Sequence, residues 1–139
     1  MSDFVLDASV ALQWFLKDEV DRAYSLRVLD SLREKHALVP VRWLYEVGNA
    51  LVTACRRKRI SIEQVEGFRK EVWELPIDVA QQSSAEILSL PRLALLHGLT
   101  NYDATYLALA QSSKLPIATA DSDLRKAALA TRVGLYAFE

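Results

Sequence analysis

Cysteine is nearly absent. Cys55 stands alone, so the chain can form no intrachain disulfide and no cysteine-based zinc centre. A chain without disulfides fits a reducing cytosol. Glycine and proline are scarce too, four of each in 139 residues. That argues against long flexible linkers and against an all-β fold with many tight turns. No apolar run approaches the ~18 residues of a membrane span. The opening Met-Ser-Asp-Phe-Val-Leu-Asp puts acids where a signal peptide needs a basic segment, so a soluble, cytoplasmic protein without membrane contact is expected. Neither sign of charge is in excess: 17 Lys and Arg stand against 18 Asp and Glu, a net charge of −1. The field of the whole molecule therefore does not steer it onto nucleic acid, and any such binding falls to local patches. Repeats and low-complexity stretches are missing. What remains is an ordinary globular composition, 51% hydrophobic and 25% charged. The length predicts one domain over 1–139. A chain of this size buries about two-thirds of its unfolded surface and keeps about 7,000 Å² exposed.

Short apolar runs alternate with longer helical patterns. Phe4-Val5-Leu6 reads as a strand buried on both faces. Further strands are expected over Ala37–Val41, Pro76–Val79, Pro116–Ala120 and Gly134–Phe138. Helices are expected over Ala8–Leu16, Val20–Lys35, Val41–Arg57 and Ile62–Trp73. Ala80–Leu90 follows as a helix broken at Pro91, then Leu93–His97 closed by Gly98, Tyr102–Ser112 and Ser122–Ala130. Strands joined through helical crossovers imply an α/β fold, a parallel sheet with helices on both faces.

In such sheets functional groups collect at the carboxyl ends of the strands. Asp7 closes the first strand, and Asp121 closes Ile117-Ala118-Thr119-Ala120 on the same edge. The two are neighbours only if their strands are adjacent. Glu46 lies early in the Val41–Arg57 helix, sharing a face with Asn49 and Thr53. Asp103 opens the apolar helix Tyr102–Ala110. Each acid alone has a plain explanation as a helix cap or first-turn residue. Capping does not explain why all four fall where one cluster could form. Lys and Arg are absent from the four local segments, which leaves backbone N–H groups or a metal as partners for buried carboxylates. Clustered carboxylates repel until cations neutralise them, and all-oxygen sites suit Mg²⁺ or Mn²⁺. Phosphodiester hydrolysis is commonly built this way.

At these residues the sequence resembles a PIN domain, and more narrowly a VapC-like toxin of bacterial toxin–antitoxin pairs. The resemblance rests on Val5-Leu6-Asp7-Ala8-Ser9-Val10, Glu46-Val47-Gly48-Asn49-Ala50-Leu51, Tyr102 through Ala110, and Thr119-Ala120-Asp121-Ser122-Asp123-Leu124, in that order along the whole chain. It implies a three-layer α/β/α sandwich with a short parallel central sheet. The implied activity is a metal-dependent endoribonuclease hydrolysing RNA with a metal-activated water. Asp7, Glu46, Asp103 and Asp121 match the acidic positions that would hold Mg²⁺ or Mn²⁺. Ser9 and Thr119 match polar positions beside them, where their hydroxyls would bind a metal-bound water or a substrate phosphate. Asp123 would join the site or sit in a first helical turn. The implied partners are RNA, a cognate antitoxin covering the acidic groove, and a second copy in a homodimer.

Other features fit bland roles. Arg56-Arg57-Lys58-Arg59 would contact RNA phosphates or simply favour a helix C-terminus. Trp14 fits a core-facing helix end. Trp43 and Tyr45 would form an antitoxin-binding or dimer surface. Arg42, one turn from Glu46, would approach the groove. His36 and His97 lack metal-ligand spacing, and Cys55 fits a small buried apolar position. A receiver domain would need an acidic pair after the first strand, where Asp7-Ala8 stands, and a serine hydrolase a Gly-x-Ser-x-Gly turn, which is missing. The alternative that survives is a non-catalytic PIN-like module binding RNA or protein.

Overall fold

Phe4, Val5 and Leu6 are each fully buried, as a strand covered on both faces requires. A computed structural model of the chain describes residues 1–16 and 21–138. In it β1 (Phe4–Leu6) lies between β2 (Ala37–Pro40) and β4 (Ile117–Ala118), and β3 (Ile77–Ala80) extends the sheet beyond β2. The order is β3-β2-β1-β4 and every pairing is parallel. Helices α1 (Ala8–Phe15), α2 (Ala23–Ser31), α3 (Val41–Arg56), α4 (Ile62–Glu74), α5 (Ser84–Leu88), α6 (Leu90–His97), α7 (Asn101–Ser113) and α8 (Ser122–Ala130) flank it. This is the expected α/β architecture.

Two consequences matter for the site. The first and last strands are adjacent, so Asp7 and Asp121 leave the sheet side by side. β2 also runs without a break from Pro40 into α3, which carries Glu46 up from the same edge. The α3 stripe Trp43, Val47, Leu51 and Ala54 is buried against the core. Each fully buried large side chain contributes about 1.5–3 kcal/mol. Trp43 is 0% exposed, so it is a core residue and not the interface residue expected beside Tyr45. Its Nε1 has no hydrogen-bond partner among the described residues. Trp14 is also in the core, with its Nε1 donating to the Ser25 carbonyl at 2.7 Å.

Several expected elements differ. Pro91 does not break a helix but starts one, sitting in the first turn of α6, where an amide proton would have no partner anyway. The segment before it is only the five-residue α5, begun by a Ser83–Glu86 capping box. Gly134–Phe138 is not a strand. It contributes one bridge, Leu135 to Ile117, because β4 has only two residues to pair with. Its aromatics pack instead, Tyr136 stacking on Phe4 at 3.9 Å. The helix expected from Val20 begins at Ala23 and ends at Ser31, and Val20 itself lies outside the described residues. Gly98 closes α6 in the left-handed conformation, as expected.

The accessible surface is 8,677 Å², above the roughly 7,000 Å² usual for this mass. Part of the excess is apolar, including Leu88, Leu95, Leu96 and Trp73, the last 87% exposed. Among the described residues no helix is long and apolar enough to cross a membrane.

Candidate active site

Asp7 is the residue where β1 ends and α1 begins. Its backbone N–H donates to the Ala118 carbonyl of β4 at 2.9 Å, which fixes where the side chain starts. Asp7 makes no side-chain cap to α1, so the capping explanation fails for it. The carboxylate is 4% exposed. Its Oδ2 accepts the Ser9 hydroxyl at 2.6 Å and the Thr119 hydroxyl at 2.7 Å. Those hydroxyls in turn accept backbone protons, Ser9 Oγ from Ala120 N–H and Thr119 Oγ1 from Asp121 N–H, both at 3.0 Å. The network ties the end of β1 to the end of β4. Hydroxyls, a kind of partner the sequence argument left out, hold Asp7 through Oδ2, with Ser9 and Thr119 turning their protons toward it. Among the described residues no hydrogen bond reaches Asp7 Oδ1.

Glu46 shows the same division of its two oxygens. Tyr106 on α7 donates its hydroxyl to Oε1 at 2.8 Å, and Arg42 Nε lies 3.3 Å from that oxygen. Among the described residues Oε2 has no partner. The Arg42 contact bears out the expectation that this residue approaches the groove, and it sets a cation beside one of the four acids. The signal was the four-residue spacing of Arg42 and Glu46 on one helix. Tyr106 was missed altogether. Its signal was its place one turn after Asp103 in the same apolar helix.

Asp103 lies in the first turn of α7, whose N-cap is Thr100. Asp121 does cap α8, with Oδ2 accepting the Leu124 N–H at 2.9 Å. Asp123 is an exposed first-turn residue of α8. Asn49 is exposed on α3. Arg56, Arg57, Lys58 and Arg59 are exposed at the end of α3, Arg56 ten residues past Glu46 and so about 15 Å along the axis. The structure therefore keeps the basic run apart from the acids. His36 is exposed, His97 ends α6, and Cys55 is only partly buried.

The acids sense one another. Burial pushes the Asp7 carboxyl up to about 6; the Ser9 and Thr119 hydrogen bonds oppose that shift, and the charges of Glu46 and Asp103 add to it. Asp103 is also raised, first by burial and then by Asp121, with Glu46 and Asp123 adding. Burial, then the charges of Asp7 and Glu46, raise the Tyr106 hydroxyl far above its ordinary value, so it stays a donor at every physiological pH.

Among the described residues no three His, Cys, Asp or Glu side chains converge as a ready-made metal cage. Mg²⁺ does not demand one, since it keeps several waters and takes one or two carboxylates. The donor set fits that requirement: mutually repelling carboxylates, with one oxygen of Asp7 and one of Glu46 held in place and the other unbonded.

Comparison with known proteins bears on the family and the fold. The PIN domain family model matches residues 4–129. Ribonuclease VapC3 of Pyrobaculum aerophilum is 32% identical over 121 residues, 86% of this chain and 90% of that one. The crystal structure of PAE2754 from Pyrobaculum aerophilum superposes with a TM-score of 0.69 at 24% identity, covering 95% of this chain and 89% of that one. A toxin–antitoxin complex from Klebsiella pneumoniae gives 0.68 at 17% identity, covering 99% of each chain. At those identities the two structures establish the shared fold. With the family model spanning most of its length and a relative this similar over most of both sequences, the chain belongs to the PIN domain family.

Proposed function

We propose that this protein is a VapC-like endoribonuclease that hydrolyses RNA phosphodiesters with Mg²⁺ or Mn²⁺ and is restrained by a protein antitoxin. The observation that carries the reading is Asp7, buried at the carboxyl edge of the sheet with one oxygen fixed by two hydroxyls and the other unbonded. Its similarity to a ribonuclease over most of both chains supports the activity. Asp7 and Glu46 would hold the ion, with Asp103 and Asp121, whose charges belong to the same cluster, meeting its waters. Bound there, the ion supplies positive charge that acidifies water and offsets charge on the phosphate.

The chain's own residues set the geometry. Ser9 and Thr119 orient Asp7, and Tyr106 orients Glu46 through a proton it does not release. In the hydrolysis a water oxygen bonds to phosphorus as the bond to the leaving ribose oxygen breaks. One water proton would pass to a carboxylate that does not hold the ion, Asp103 or Asp121, and the leaving ribose oxygen would take a proton from solvent. The exposed cations from Arg56 to Arg59 would follow the RNA backbone. Exposed apolar residues such as Leu88, Leu95 and Leu96 support protein partners, an antitoxin and a second copy; the protein would act in the cytoplasm as a single domain.

The test is cleavage of a mixed structured-RNA pool by antitoxin-free protein with Mg²⁺, with Mn²⁺ and with chelator. Identically purified Asp7→Asn protein is the contamination control. Metal-dependent cutting that disappears in the variant is expected. Cutting that persists in chelator, or in an Asp7→Asn/Asp103→Asn double variant, would sink the assignment.

A further inference from the structure

Beside the acids, between α1 and α3, lies a groove of about 530 Å³ lined by Leu12, Arg42, Tyr45, Glu46, Asn49 and Ala50. Its volume falls within the ~300–1,000 Å³ of small-ligand clefts. Arg42, Tyr45, Glu46 and Asn49 stand at spacings of three, four and seven, so one face of α3 builds its wall while the opposite stripe is buried. Glu46 belongs to both the groove and the acid cluster, so whatever occupies the groove lies next to the reacting bond. The Tyr45 ring is 72% exposed. Neither its hydroxyl nor the Asn49 carboxamide has a hydrogen-bond partner among the described residues.

Arg42 is held without being used up. Its guanidinium lies 3.6 Å from the centre of the Tyr102 ring and touches Glu46 through Nε. Its two Nη groups make no hydrogen bond among the described residues. That leaves the forked pair of donors that matches a phosphate. A projecting ring, an amide with donor and acceptor, and a pre-positioned guanidinium are the three groups that bind a base face, a base edge and a phosphate. Among the described residues Leu12 and Ala50 are the only aliphatic ones lining it, too few to anchor an amphipathic peptide.

We propose that this groove is a nucleotide subsite for single-stranded RNA, in which a base next to the scissile bond stacks on Tyr45, Asn49 reads its edge and Arg42 grips a phosphate. The proposal rests on the ribonuclease reading above. The base must be unstacked to lie on the ring, so the preferred substrate is a loop or single strand and not a duplex.

The test uses the full chain with Mg²⁺ in an Asp7→Asn background, which leaves RNA intact, and fluorescence anisotropy with single-stranded hexamers of each base. Tyr45→Ala should weaken binding by about 5- to 150-fold, the range for one lost base stack. Tyr45→Phe should bind like the parent, and Asn49→Ala should level the affinities for the four bases. Unchanged affinity in Tyr45→Ala, from a wild type that cuts RNA, overturns the subsite while the nuclease reading stands, and it is also the result expected if the groove serves a protein. RNA neither bound nor cut by the wild type overturns both.

Discussion

At Asp7 the structure joins a carboxylate to a cost that depends on pH. Its carboxyl rises from the ordinary 3.8 to about 6, chiefly through burial. The folded protein thus holds this proton more tightly than the unfolded chain does. The stability it lends is complete below about pH 4 and lost as pH climbs past 6. A shift of this size corresponds to about 3 kcal/mol. Asp7→Asn should remove that loss. In chelator at pH 8 the variant should unfold at higher urea than wild type, by up to ~3 kcal/mol, and the advantage should vanish near pH 4. Equal stability at both pH values would contradict the burial argument. Asp7 was legible as an acid at a strand end, because that junction is written in seven consecutive residues. Its pairing with Thr119 was not, since strand register between positions 112 apart leaves no local trace. Arg42 was legible from its spacing to Glu46, one helical turn away on the same helix.

Elements were legible where one periodic pattern had sharp ends. Ser122–Ala130 matches α8 residue for residue, with Asp121 as its cap. Legibility failed where a residue has two opposite uses. Proline ends a helix from inside and begins one from its first turn, and only the chain's direction beyond it decides. The two readings of Pro91 predict different energetics. Removing a proline from a helix interior relieves about 3 kcal/mol. In the first turn of α6, Pro91→Ala should leave stability within about 1 kcal/mol of wild type, acting through the unfolded chain alone. Urea unfolding of the variant measures this, and a gain near 3 kcal/mol would refute the first-turn placement. Gly134–Phe138 failed for another reason. Its short apolar run suits a strand, but its neighbour β4 offers two residues, so packing against Phe4 and Tyr24 replaces a ladder.

Over the whole molecule the charges almost cancel, so affinity for RNA has to come from where they sit. The acids gather at the carboxyl edge of the sheet and a basic run ends α3, separated along one helix. Each neutralised phosphate on a single strand contributes about −0.7 to the slope of log affinity against log salt. Replacing Arg56, Arg57 and Lys58 with Ala should therefore flatten that slope by up to about 2 and weaken all RNA sequences alike. A slope that does not move would assign the run to the helix end alone. The strand order carries a last consequence. β1 takes its place beside β4, so Asp7 meets Thr119 and Asp121 only when more than a hundred intervening residues have been made and folded. A chain growing on a ribosome presents Asp7 and Glu46 early, before β4 can close over the first and before Thr119 can donate to it. The acid edge of this enzyme is thus completed by the translation machinery only once β4 and Asp121 have emerged.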